Sequence, residues 1–230
     1  MFKETSKELL DFLSKSPTAF HAVENYRQIL NADGFKELLE SEHWDIVPGG
    51  KYYVTRNNTS ILAFKVGTKL DNYSFNIVTS HTDSPTFKVK ENAEIEVKNK
   101  YTQLNTEGYG GMLCATWLDR PLSIAGRVLV SEGNSIVTKL LNIDRDLLMI
   151  PNVAIHMNRA ANDGFKYNLQ VDMLPLLSAG DDRQKDFKQI IADELGVKKE
   201  DILGHDLYLY NRMAPSIWGA NEEFISSGHL

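Results

Sequence analysis

Apolar residues recur at helical intervals at the start of the chain, where "ETSKELLDFLSKSPTAFHAVENYRQILNADGF" places Leu9, Leu10, Phe12 and Leu13 within one turn of each other. A second helix is predicted after Ser16, a natural N-cap, with Pro17 at its first position, where the missing N–H costs nothing. Phe20, Val23 and Leu30 lie on or near one face of it, and Gly34 can end it. The pattern then shortens to strands, "KYYVTR", "SILAFKVG" and "YSFNIVTS", separated by the turn formers of "RNNT" and "GTKLDN". The run "FNIVT" is continuously apolar rather than alternating, which predicts a central strand covered on both faces. Helices followed by strands point to an α/β layer.

From about residue 90 the texture changes. "KVKENAEIEVKNKYTQLN" alternates Val89, Ile95 and Val97 with charged residues, as a strand with one wet face does. Further strands are expected in "SIAGRVLVSEG", "SIVTKLLNI", "NVAIHMN" and "HDLYLYN". One helix is expected in "RQKDFKQIIADELG", where Phe187, Ile190, Ile191 and Leu195 share a face and Gly196 ends it. No internal repeat, low-complexity tract or long linker interrupts the chain, so a second domain beginning near residue 90 is joined by short connections.

Composition narrows the class. With 230 residues, 42% of them hydrophobic and 24% charged, the chain can bury a substantial core. Its 25 basic and 31 acidic residues give a net charge of -6, which offers no field for nucleic acid or an anionic membrane surface. No apolar run approaches the roughly 18 residues of a membrane span. The charged start "MFKETSKELL" lacks the apolar core of a signal peptide, so a cytoplasmic protein is expected. The single cysteine, Cys114, has no disulfide or zinc-cluster partner, in keeping with a reducing compartment. Asn57 and Asn72 open glycosylation-like triplets that a cytoplasmic location makes irrelevant.

Candidate chemistry centres on "VTSHTDSPTFKVK". If "FNIVTS" is a buried parallel strand, His81 and Asp83 leave its carboxyl end, the edge where open α/β sheets place ligands. Two residues of extended chain carry both side chains to one side, so a neutral imidazole can bind zinc while a carboxylate takes its other ring proton. The alternative is an Asp83 turn before Pro85 beside a half-buried structural histidine. A catalytic zinc takes three protein ligands plus water, and no second ligand spacing such as His-Glu-x-x-His occurs. His21 reads as structural inside its helix, His43 and His205 as exposed, and Glu222 and Glu223 as a solvated pair or the first turn of a helix.

His156 in "IPNVAIHMNRAAN" closes a predicted strand with Asn158 on the same side and Arg159 next, either a polar substrate cluster or an edge histidine bonded to a loop. "YGGMLCATWLDR" reads either as a substrate loop or as a tight bend with a structural Asp119–Arg120 pair. No phosphate loop, nucleophile elbow or dinucleotide fingerprint is present.

"SPTAFHAV", "SHTDSP", "YGG" with "TWLDRPLSIAGRV", "IPNVAIHMNR" and "NEEFISSGHL" together resemble the aspartyl aminopeptidase family of zinc metallopeptidases, in collinear order from residue 5 to residue 230. The resemblance implies an α/β fold: a mixed-sheet, helix-flanked metallopeptidase domain interrupted by a β-rich dimerisation domain. Residues 1–90 would belong to the catalytic domain, 91–220 to the inserted domain, and 221–230 to the return into the catalytic domain. It implies His81 as a ligand of one of two zinc ions, Asp83 as the catalytic carboxylate orienting it, and His156 as a substrate-binding residue reaching the dimer partner's site. Implied with these are peptide substrates with N-terminal, preferably acidic, residues, a homodimer and higher homo-oligomers. The bridging aspartate, the Glu-Glu base pair and the final histidine of the family have no counterparts here, and Glu222 and Glu223 belong to the "EEF" element instead. The expectation is therefore an N-terminal portion that is inactive alone. A non-catalytic homodimerisation module is the alternative from another class, and a metal-dependent phosphoesterase is a weaker one.

Overall fold

The computed structural model describes residues 2–69, 71, 74–184 and 186–229, with the side chain of residue 2 excepted. Helix α1, Phe2–Ser14, places Phe12 against Tyr26 of α2, Ala19–Ala32, with ring centroids 4.7 Å apart. The second helix starts later than the sequence predicts. Ser16 is occupied as an acceptor for the Asn25 side-chain amide at 2.9 Å, and the extended Thr18 takes the N-cap position. At the far end Gly34 adopts φ +79°, and the Phe35 N–H donates to the Leu30 carbonyl at 2.9 Å, closing the helix in the expected way.

Strand β1, Lys36–Glu37, runs parallel to β2, Lys51–Arg56, which pairs antiparallel with β3, Ser60–Lys65. Asn57 and Asn58, at φ +52° and +54°, turn β2 into β3 without the strain a branched residue would suffer there. Buried apolar side chains in this region are Leu13, Phe20, Ala22, Val23, Tyr52 and Tyr53. The predicted central strand is absent: residues 74–80 join no described ladder and every one of them is exposed. Its apolar run meets the side-chain requirement for a central strand, but no described neighbour supplies the backbone partners that a strand also needs. Tyr73, where that run begins, lies outside the described residues, as do Asn72 and Leu230.

The chain divides into two compact units, Met1–Ser84 and Pro85–Leu230. In the second, β4 (Thr86–Val97), β5 (Tyr101–Tyr109), β6 (Leu122–Glu132), β7 (Ser135–Asn142), β8 (Leu176–Ala179) and β9 (Ile202–Asn211) form an antiparallel sheet in the order β7-β6-β9-β4-β5-β8. A register shift between Val89 and Glu94 marks a bulge in β4. Helix α3, Phe187–Leu195, lies on this sheet through Phe187, Ile191 and Ala192, all buried in one cluster with Phe87, Leu104, Ile124, Val128 and Leu207. Each such large side chain contributes about 1.5–3 kcal/mol by leaving water, so this unit holds most of the described apolar core. A small hairpin follows, β10 (Ser216–Trp218) with β11 (Phe224–Ser226). Glu222 lies in its turn at φ +57°, not in a helix.

The strand predicted over "NVAIHMN" does not form. Ile150 makes a single bridge to Leu118, after which the Asn152 N–H is taken by the Asp119 carboxylate at 2.8 Å. That side-chain acceptor replaces the backbone acceptor a ladder would have provided, and residues 151–175 run on as turns and irregular chain.

Candidate metal and substrate site

His81 and Asp83 sit in the loop that follows the open 74–80 segment. Thr82 between them donates to the Thr59 carbonyl at 2.6 Å, which ties the loop to the β2–β3 turn. His81 Nδ1 lies 2.6 Å from the Asp83 backbone carbonyl and 3.9 Å from its carboxylate Oδ1. A carbonyl oxygen only accepts, so Nδ1 carries the proton and Nε2 keeps its lone pair for an electrophile. A backbone carbonyl fixes the tautomer as well as a carboxylate does, and the side chains of His81 and Asp83 are 55% and 47% exposed. A zinc ion finds one suitable ligand here, not a complete set: among the described residues no three His, Cys, Asp or Glu side chains gather where they could hold a metal.

His156 occupies an exposed turn in which the Met157 N–H donates to the Ala154 carbonyl at 2.8 Å. Without a strand, the alternation that would align it with Asn158 does not operate. The loop is fixed at its base, where the Asp119 N–H donates to the Ile150 carbonyl at 2.9 Å and the Asp119 carboxylate holds Asn152. Asp119 stands at φ +56° to make both contacts. The sequence motifs "TWLDR" and "IPNVAIHMNR" are thus physically joined. The Asp119–Arg120 pair of the tight-bend alternative does not form: Arg120 donates through Nε to the Thr116 carbonyl at 2.7 Å. Arg120 also lines a cavity of about 350 Å³ with Thr116, Trp117, Asn211, Ser216 and Ser226.

The remaining histidines separate by environment. His21, bonded through Nδ1 to the Thr18 hydroxyl at 2.9 Å, is pushed by burial down to about 4, as suits a structural residue. His43 is solvated beside Asp45. His205 differs from the exposed residue expected: it lies in β9 with Nδ1 buried and unpartnered among the described residues, and burial lowers its pKa despite Glu91 and Asp206 nearby. Strand periodicity carried the signal, because residues 205, 207 and 209 share a face and Leu207 and Leu209 are buried. Next to it, Asp206 accepts from Arg127 Nε at 2.9 Å and ion-pairs with Lys88 at 2.8 Å. Burial pushes its carboxyl up, but these two cations outweigh it and the pKa falls.

Residues 12–230 match the family described as Aminopeptidase I zinc metalloprotease (M18). The chain belongs to this M18 family. It is 48% identical to a probable M18 family aminopeptidase 2 of Clostridium novyi, over 98% of this chain and 53% of that protein. Among solved structures, an Ape4 chain in complex with Nbr1 superposes with a TM-score of 0.90 at 34% identity, over 97% of this chain and 47% of that one. The Saccharomyces cerevisiae mApe1 dodecamer superposes with a TM-score of 0.79 at 25% identity, over 97% of this chain and 52% of that one. The fold is accordingly that of M18 aminopeptidases. The chain spans about half the length of the curated relatives it matches.

Proposed function

We propose that this chain contributes to a zinc-dependent M18 aminopeptidase that removes N-terminal, preferably acidic, residues from peptides in the cytoplasm. The observation that carries this reading is the His81 ring, locked by Asp83 into the tautomer that leaves Nε2 open, in a chain matching a zinc metalloprotease family over residues 12–230. When bound, a zinc ion polarises a carbonyl and acidifies a water. This chain's part is to hold Nε2 of His81 in place through Asp83, to anchor that loop through Thr82 and Thr59, and to present His156 on an exposed loop for substrate in a partner subunit's site. The site as a whole would hold two zinc ions, with the other ligands supplied from outside these 230 residues. Residues 91–220 are the assembly portion in this reading, forming the homodimer from which higher homo-oligomers grow. The antiparallel sheet, which starts at Thr86, and its own buried cluster support a folded unit separate from the first.

Since no three metal ligands converge among the described residues, the 230-residue chain alone should release no N-terminal aspartate with added zinc. Joined in one polypeptide to the unmatched half of the Clostridium novyi relative, it should release N-terminal aspartate faster than leucine. His81→Ala in that polypeptide should lower zinc content and rate together, the rate by about a hundredfold or more. Full activity with His81→Ala refutes its role as a ligand. Equal rates on aspartate and leucine refute the acidic preference.

A further inference from the structure

The tetrapeptide Asp-Gly-Phe-Lys occurs twice, at residues 33–36 and 163–166. An aspartate followed by glycine is open to ring closure, because glycine places no side chain in the way of its own nitrogen. That nitrogen attacks the carbon of the aspartate side-chain carboxyl. An N–Cγ bond forms, and the amide proton and the carboxyl hydroxyl leave as water. Water then opens the five-membered succinimide at either carbonyl. Cleavage of the N–Cγ bond restores aspartate, whereas cleavage of the bond from nitrogen to the original backbone carbonyl carbon leaves isoaspartate, with the chain running through the side chain. Nothing besides water is released or consumed, so the local structure decides which of two chemically alike sites reacts.

At the first site the fold opposes each step. Asp33 closes α2, the Gly34 N–H donates to the Asn31 carbonyl at 3.1 Å, and the Phe35 N–H donates to the Leu30 carbonyl at 2.9 Å. Turning the Gly34 nitrogen towards the Asp33 side chain rotates the backbone between them and breaks these bonds. Lys51 Nζ donates to the Asp33 carboxylate at 2.8 Å and to its backbone carbonyl at 2.9 Å. The ammonium holds that carboxyl below the usual carboxylate range, and an ionised carboxylate has no hydroxyl to lose. At the second site Ala161, Asn162, Asp163 and Gly164 are all exposed in a run of turns. The Asp163 N–H donates to the Ala160 carbonyl at 2.9 Å, but among the described residues neither the Asp163 carboxylate nor the Gly164 N–H has a partner. We propose that Asp163 converts spontaneously to isoaspartate in the folded chain and that Asp33 is protected from the same reaction. The change adds one carbon to the main chain of the loop that bears His156, and it does not depend on the peptidase reading.

The test is to age the full 230-residue chain at neutral pH and then digest it with trypsin, which yields peptides 28–36 and 160–166, each holding a single aspartate. Methyl transfer from S-adenosylmethionine by an isoaspartyl methyltransferase, followed by electron-transfer fragmentation, locates isoaspartate in each peptide. Any formed at Asn162 is told apart by the mass gained on deamidation. Isoaspartate should accumulate at 163 about tenfold or more faster than at 33, because two backbone hydrogen bonds and a charge-assisted pair must first open at 33. In urea the two sites should react at similar rates, since their local sequence is the same. Lys51→Met keeps the side-chain stem, and it should raise the rate at 33 severalfold while leaving 163 unchanged. Equal rates in the folded chain, a faster Asp33, a difference that survives in urea, or a Lys51→Met chain with an unaltered rate at 33 each overturns the proposal.

Discussion

His21 is the titrating residue with the clearest consequence for stability. Burial pushes its pKa down from 6.5 to about 4, so between those values the unfolded chain binds a proton that the folded chain refuses. The stability associated with a neutral His21 is intact above the unfolded value and is lost as pH falls towards 4. The loss amounts to about 2 kcal/mol between about pH 7 and about pH 5. Urea unfolding of the first unit should show this slope, and His21→Gln should flatten it. An NMR titration of His21 with its midpoint near 6.5 would contradict the account. Gly126 is constrained by space instead of charge. It faces Leu207 across the β6–β9 ladder at φ +156°, and a Cβ there would lie 2.0 Å from the Asp206 carbonyl oxygen. That oxygen belongs to a backbone held on both sides, so Gly126→Ala should cost about 3 kcal/mol or more and lower the urea midpoint of the second unit sharply. A near-neutral result would mean that β9 can step back.

At the scale of elements, α3 shows how much of one helix rests on the residue that caps it. Asp186 accepts from the Gln189 N–H at 3.0 Å as the N-cap, ion-pairs with Lys199, and has its carboxyl pKa lowered chiefly by that lysine. A cap is worth about 1 kcal/mol and an exposed ion pair about 0–1. Asp186→Ala should therefore destabilise the second unit by about 1–2 kcal/mol, and Asp186→Asn, which keeps the cap, by well under half of that in the same denaturation experiment. Equal losses would give the ion pair the larger share. This helix was legible in the sequence because Phe187, Ile190, Ile191 and Leu195 repeat at its period and Gly196 takes the left-handed φ of +63° that ends it. The strands β4 to β7 and β9 were legible in their apolar runs and, for β4, in its alternation, and the closeness of His81 to Asp83 in their two-residue spacing. By contrast β8, β10 and β11, of three or four residues each, are too short to show any period. Residues 74–80 and 152–158 have the composition of strands but lack described ladder partners, and pairing is a property of two segments. The Asp83 carbonyl on His81 was invisible for a similar reason, since every residue carries one.

Across the whole molecule the apolar core is unequally divided, with the extensive cluster in the second unit and few buried apolar side chains in the first. The loop bearing His156 springs from that better-packed unit and returns to it. Its ends meet where Met149 and Leu176 exchange backbone hydrogen bonds at 2.7 and 3.3 Å, Asp119 clasps Asn152 just inside, and Met173 is fully buried on the returning side. Between these fastenings Arg159 and Lys166 are exposed in irregular chain. Trypsin should accordingly cut there first, yet the severed ends would have no freedom to separate. The cleaved protein should migrate as one species on a native gel and as two bands after boiling in detergent. Asp119→Ala, which opens one fastening, should raise the rate of that first cut several-fold, about the effect of losing 1 kcal/mol of local closure.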